Sequence, residues 1–74
     1  MSIDVELFGQ LMQNKQRRQD LDILDPIMIR EVVNKLGLKE EEIGLITVDG
    51  VQSEPEDLVR PGNRLCFFPP MSGG

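Results

Sequence analysis

Apolar and polar residues alternate at the start of the chain, with Ile3, Val5 and Leu7 set against Asp4 and Glu6. A period of two is that of a strand with one dry and one wet face, so a first strand is predicted over Ile3–Phe8, interrupted by Gly9. Residues 10–16 form a polar connection in which Leu11 and Met12 pack as a short helical turn and Asn14 and Lys15 turn the chain. Leu21 and Ile23 then alternate with Asp20 and Asp22, giving a second strand near enough in sequence to pair antiparallel with the first.

In the next segment the period becomes helical. Ile29, Val32, Val33 and Leu36 fall at i, i+3, i+4 and i+7 while Arg30, Glu31, Asn34 and Lys35 take the other side, which predicts an amphipathic helix. Asp25-Pro26 is expected to start it, with the carboxylate as N-cap and Pro at the first helical position. Gly37 is expected to end it in a left-handed conformation. Lys39–Ile43 reads as a single helical turn on the surface.

Ile46 and Val48 restart an alternating strand, which Asp49-Gly50 turns back through Val51 and Gln52 as a hairpin. Ser53 and Glu56 have capping-box spacing, so a brief helical turn with Leu58 facing inward is predicted there. Pro61-Gly62 predicts a type II turn. The last strand is Arg64–Phe68, with Leu65 and Phe67 on one face and Arg64, Cys66 and Phe68 on the other; Pro69-Pro70 stops it, because neither residue can donate a ladder hydrogen bond. The order β-β-α-β-β-β indicates an α+β domain in which one main helix covers one face of a small mixed sheet. The final strand is expected parallel beside the first, reached by a right-handed crossover. This divides the chain into a domain over 1–68 and a C-terminal tail over 69–74.

Composition narrows what such a domain can do. The chain has 74 residues, with three Phe and no Trp, Tyr or His. At that length folding hides only about 60% of the surface that the unfolded chain exposes, which leaves little room for a large internal active site. Without His, imidazole-based acid/base catalysis, Ser-His and Cys-His nucleophile pairs and imidazole metal sites are excluded. The single Cys66 excludes an internal disulfide and a cysteine zinc cage. A net charge of −5 argues against a general nucleic-acid or anionic-membrane binder. No run approaches the ~20 apolar residues of a membrane span, and MSIDVELFG has acids where a secretory signal has basic residues, so the expected location is cytoplasmic. Nor does GQLMQNKQ at 9–16 have the GK[ST] ending of a phosphate-binding loop. A binding or carrier role remains.

The end of the chain is the least ordinary feature. A Gly73-Gly74 terminus is an α-carboxylate on a thread without side chains, able to enter a channel that any β-carbon would block, at the cost of a larger ordering entropy on capture. Pro69-Pro70 limits that cost by stiffening the base of the tail into an extended form. Fully extended, Pro69 to Gly74 span roughly 20 Å, enough to deliver the carboxylate into a partner's interior.

Val48-Asp49-Gly50, the Leu58-to-Gly62 spacing and above all RLCFFPPMSGG at 64–74 resemble the MoaD/ThiS sulfur-carrier family of ubiquitin-like β-grasp proteins. The FFPPxxGG ending is more similar to MoaD, the molybdopterin-synthase small subunit, than to ThiS. The resemblance implies a β-grasp fold with a flexible C-terminal Gly-Gly tail, and a carrier that is a noncatalytic subunit rather than an enzyme. It makes Gly74 the reacting residue. An E1-like adenylyltransferase of the MoeB/ThiF type would use ATP to convert the Gly74 carboxylate to an acyl-adenylate, and a sulfur donor protein would displace AMP to leave a thiocarboxylate. The charged carrier would then dock on the molybdopterin-synthase large subunit. Gly73 would permit passage through partner channels, Ser72 and Met71 would line the threaded tail, and Pro70 and Phe68 would join them in partner binding. The resemblance implies no bound cofactor or metal, and no nucleic acid or membrane as partner. Family members often have Asn where Asp49 stands and an acidic residue where Asn63 stands. A ThiS-like carrier for thiamine thiazole synthesis, a ubiquitin-like protein modifier and a plain interaction module are the alternatives.

Other residues have plainer readings. A lone Cys66 in an apolar strand is a small packing residue unless a neighbouring base activates it. Lys15, Arg17 and Arg18 read as a solvated hairpin, with docking on an acidic partner surface as the functional version. Glu40, Glu41 and Glu42 are consecutive, point in different directions and read as a wet helical turn. Glu54, Glu56 and Asp57 read as capping and solubility, and Met12 and Met28 as gap fillers. Phe68, on the uncovered sheet face just before the tail, is divided between core packing and an interface anchor.

Overall fold

A computed structural model of the chain describes residues 1–13 and 15–71. Strand β1 (Ser2–Leu7) is followed by a 3-10 turn over Gly9–Met12, β2 (Arg18–Asp22), the two-residue β3 (Ile27–Met28) and the helix α1 (Ile29–Lys35). A second 3-10 turn over Glu40–Glu42 leads to β4 (Leu45–Val48), β5 (Val51–Ser53), β6 (Leu58–Val59) and β7 (Arg64–Phe68). Five strands form one mixed sheet in the order β2-β1-β7-β4-β5, and β3 with β6 makes a separate antiparallel pair. β7 lies parallel to β1 and antiparallel to β4, so the last strand occupies the centre of the sheet.

The alternation seen in sequence sorts the sheet into two faces. Ile3, Val5, Leu7, Ile46, Leu65 and Phe67 are buried against Ile29, Val32 and Val33 of α1, with Leu11, Ile23, Leu38 and Val59 closing the core. Five of the six sheet residues are inaccessible to solvent, so a one-residue slip of β1 would exchange Ile3, Val5 and Leu7 for the charged Asp4 and Glu6.

Three turns follow the sequence reading. Gly37 (φ +74°) ends α1 in a Schellman motif: its N–H donates to the Asn34 carbonyl (3.1 Å), and the N–H of buried Leu38 donates to that of Val33 (3.0 Å). Asp49 (φ +50°) and Gly50 (φ +83°) form the tight hairpin turn between β4 and β5, in the conformation that positive φ at both central positions defines. Pro61-Gly62 turns with Gly62 at φ +94° and the Asn63 N–H donating to the Arg60 carbonyl at 3.0 Å.

The start of the helix differs from expectation. Asp25-Pro26 does not cap it; α1 begins at Ile29, after Ile27 and Met28 have paired with Val59 and Leu58. The first helical N–H groups find carbonyls elsewhere in the chain, Ile29 donating to Asp57 (2.9 Å) and Arg30 to Pro55 (2.8 Å). That tertiary supply replaces a local cap. Arg30 reinforces it by pairing with Glu40 (2.6 Å) and Glu56 (3.5 Å). The capping box predicted at Ser53 is also absent: Ser53 ends β5, and the turn that follows is closed by Asp57, whose carboxylate accepts the Glu54 N–H at 2.8 Å. In consequence Val59, not Leu58, faces the core; Leu58 is half exposed.

Asp49 does more than turn the hairpin. Its carboxylate accepts the Arg64 N–H (2.9 Å) and the Asn63 side-chain amide (2.8 Å), pinning the β4–β5 turn to the entry of β7. Replacing Asn63 by Asp is expected to face two carboxylates and cost about 1 kcal/mol. Adding Asp49→Asn to that variant restores a donor–acceptor pair and should recover most of the loss in urea denaturation. Purely additive losses would contradict the pairing.

Candidate functional site

The tail leaves from the end of β7, at the middle of the sheet. Registers place Asp4, Glu6 and Phe8 on the uncovered face beside Arg64, Cys66 and Phe68, with Leu45 and Thr47 of β4 alongside. Each backbone neighbour there contributes to holding the root of the tail. The Phe8 N–H donates to the Phe67 carbonyl (3.1 Å), and the Gly44 N–H donates to the Phe68 carbonyl (2.8 Å). The Phe8 and Phe68 rings stack with centroids 4.5 Å apart and planes 10° apart, and the Arg17 guanidinium sits 5.8 Å above Phe8. Phe68 is therefore half-buried, neither a core residue nor a free anchor. Leu45, its register partner, is 36% exposed, and Met71 beyond the Pro pair is 94% exposed.

Away from the aromatic stack the open face is a charge lattice. Glu6, a buried residue, is bracketed by Arg17 at 3.2 Å and by Arg64, and Asp4 takes two hydrogen bonds from Arg18, at 2.7 and 3.1 Å. The hydrogen bond from Arg64 holds the Glu6 carboxyl below the usual carboxylate range, against the opposing cost of burial, with Arg64 and Arg17 adding their charge. Arg18 does the same for Asp4. Both acids have folded pKa values below their unfolded ones. The stability they contribute is therefore complete above about pH 4–5 and is lost as pH falls through the folded values. Acid unfolding monitored by circular dichroism should thus show a steeper loss below about pH 4 for the native chain than for Glu6→Gln. Identical acid limbs would contradict the lattice.

Arg17 and Arg18 are thus solvated, as their sequence implies, but paired rather than idle, and Lys15 is exposed. Cys66 is buried, with Glu6 and Thr47 as its register neighbours, in agreement with a packing role. Among the described residues no group of three acids or thiols is placed to hold a metal ion, and no helix is long and apolar enough to cross a membrane. Of the residues singled out by sequence, Phe68, Pro70 and Met71 meet at the tail root or just beyond it. Ser72, Gly73 and Gly74 lie outside the described residues, as does Asn14. Sequence reading missed Phe8, Gly9, Arg17 and Gly44 as parts of this root. The alternation through Leu7 already placed Phe8 on the open face; nothing in the local pattern marked Gly44.

A helix laid across a five-stranded mixed sheet, with a parallel central pair formed by the first and last strands, defines a ubiquitin-like β-grasp domain. The chain belongs to the ThiS family, whose model matches residues 5–74, and so to the ubiquitin-like sulfur carriers of ThiS/MoaD type. Among solved structures it is similar to SAMP1 from Haloferax volcanii, at 20% identity and TM-score 0.77, with all of both chains covered. It is also similar to a putative molybdopterin converting factor subunit 1 from Pyrococcus furiosus, at 16% identity and TM-score 0.74, covering 96% of this chain and 99% of the other. Urm1 from Trypanosoma brucei is similar at 22% identity and TM-score 0.72, covering 99% of this chain and 95% of the other. No curated protein matches by sequence.

Proposed function

We propose that this chain is a sulfur carrier for molybdopterin synthesis, its Gly74 carboxylate being adenylated by an E1-like enzyme and then converted to a thiocarboxylate. The observation that supports this most is the central position of β7: the strand leading to the Gly pair is braced on both sides, and the family match runs through the same residues to 74. A carboxylate is a poor electrophile. Attack of its oxygen on the α-phosphorus of ATP forms the mixed anhydride and releases pyrophosphate; a hydrosulfide-level nucleophile from the donor protein then breaks the C–O bond to AMP and leaves C(O)S⁻. The partner enzyme supplies the ATP site, and the carrier supplies the terminus and a docking face. That face is the exposed part of the root, Leu45, Phe68 and Met71, with Arg17 at its rim. Phe68, half-buried on Phe8, offers a rigid aromatic edge at little ordering cost.

The molybdopterin branch is preferred to thiazole synthesis because of the FFPPxxGG ending, and a solved complex of subunits 1 and 2 of molybdopterin-converting factor from Helicobacter pylori contains a chain similar to this one at TM-score 0.64 and 20% identity. On this reading the chain is the noncatalytic small subunit, bound in turn by the E1-like enzyme, the sulfur donor and a large synthase subunit, in the cytoplasm. Expression in a molybdenum-cofactor auxotroph and a thiamine auxotroph, each lacking its own carrier, separates the branches: growth of the first alone is expected, and growth of the second alone would move the chain to thiazole synthesis. The likeness to SAMP1 and to a second Haloferax volcanii structure, of small archaeal modifier protein 1, favours a second reading, isopeptide formation through Gly74. It would leave Gly-Gly remnants on lysines of target proteins.

A further inference from the structure

Continuing the β1–β7 register by two residues and the β4–β7 register by one sets Gly9 on one side of Pro69 and Gly44 on the other. Neither neighbour has room for a side chain. A Cβ on Gly9 would stand 2.8 Å from Pro69 Cγ. A Cβ on Gly44 would stand 2.5 Å from the Cα of Pro70, 2.8 Å from its nitrogen and 2.9 Å from the Pro69 carbonyl oxygen. The obstructing atoms at Gly44 are backbone, which cannot swing aside as a side-chain tip does. By contrast Gly37, Gly50 and Gly62 have nothing within 4 Å of such a Cβ; positive φ alone accounts for them. Gly44 therefore has a steric requirement that comes from the tail.

We infer that Gly9 and Gly44 form a paired notch that sets the direction in which the Pro69-Pro70 stem leaves the sheet, and that they are positioning residues for presenting the C-terminal carboxylate. This rests on the carrier reading above. Proline fixes φ, so the stem is stiff enough to transmit a direction, and an error at Pro70 is carried outward rather than absorbed within the stem. Over the remaining residues a small angular change moves the terminus by ångströms, and misplacement of about 1 Å can lower a rate on the order of a hundredfold. Gly9 adjoins Phe8 and the Gly44 N–H donates to the Phe68 carbonyl, so the notch shares the tail root with the aromatic stack, and a split between kcat and KM is what distinguishes presentation from docking.

The test uses the full chain with an E1-like enzyme of the MoeB/ThiF type, ATP and sulfide, following adenylation by pyrophosphate release. Gly44→Ala is expected to lower kcat about tenfold or more while the KM for the carrier changes less than threefold. Gly37→Ala, strained by its φ but with nothing within 4 Å of the added Cβ, is the control for lost stability: it should lower the melting temperature and leave kcat within twofold. Replacing Pro69 and Pro70 by Gly in the Gly44→Ala background loosens the stem and should return much of the lost rate, which a defect in folding would not show. If Gly44→Ala has no cooperative melting transition, Gly9→Asn, which tolerates positive φ but still carries a Cβ toward Pro69, takes its place. Native kcat in Gly44→Ala and Gly9→Asn, or equal slowing by Gly37→Ala, overturns the notch and leaves the carrier reading standing. Failure of the native chain to release pyrophosphate overturns the carrier reading instead.

Discussion

Phe67→Ala is expected to remove most of the stability of this protein. Phe67 is fully buried in the central strand, flanked in register by Leu7 on one side and Ile46 on the other. Truncating such a ring costs about 3–5 kcal/mol, the transfer of the lost atoms plus the cavity left behind. A single core in a domain this small rarely supplies more than about 3–5 kcal/mol, so the variant should be largely unfolded at 25 °C without denaturant. Phe68→Ala, one residue on but half-buried on the other face, loses a stacked pair worth about 1 kcal/mol and its own partial burial, and should still unfold cooperatively in urea. Equal losses at the two positions would contradict the assignment of faces.

The opposite separation is expected at the terminus. A chain lacking Gly73 and Gly74 should keep its melting temperature within about 2 °C, because the close packing at the tail root is made by Pro69 and Pro70, which the truncation leaves in place, and Met71 is already in solvent. It should nevertheless fail completely as a substrate for adenylation, with or without excess ATP, since the new terminal carboxylate on Ser72 carries a side chain and stops two residues short. Complementation or sulfur transfer by the truncated chain would remove the terminus from the mechanism.

Much of this arrangement is legible in the sequence, and what is not has a common cause. The alternation of Ile3, Val5, Leu7 and of Leu65, Phe67 identifies the central strands and their buried faces, and Gly37, Gly50 and Gly62 announce turns because positive φ is a local need. Local rules fail where a distant segment satisfies the same need. Asp25-Pro26 has the chemistry of a helix start, but the N–H groups of Ile29 and Arg30 are met by carbonyls at Asp57 and Pro55, and Ile27 and Met28 are drawn into pairing with β6. Ser53 and Glu56 likewise have the right spacing for a cap in a segment already committed to β5 and an Asp57-closed turn. Gly44 is the same lesson at the tail root: its requirement is set by Pro70, 26 positions away and brought over it only by the fold.

Intact mass spectrometry of the full-length chain, after incubation with an E1-like enzyme, ATP and a sulfur donor, tests the central claim most directly. Replacement of one oxygen by sulfur, localised by fragmentation to Gly74 and absent when ATP is omitted, is the predicted result. An unchanged mass with E1 partners of both the molybdopterin and the thiazole type, under conditions that charge a known carrier, would contradict it.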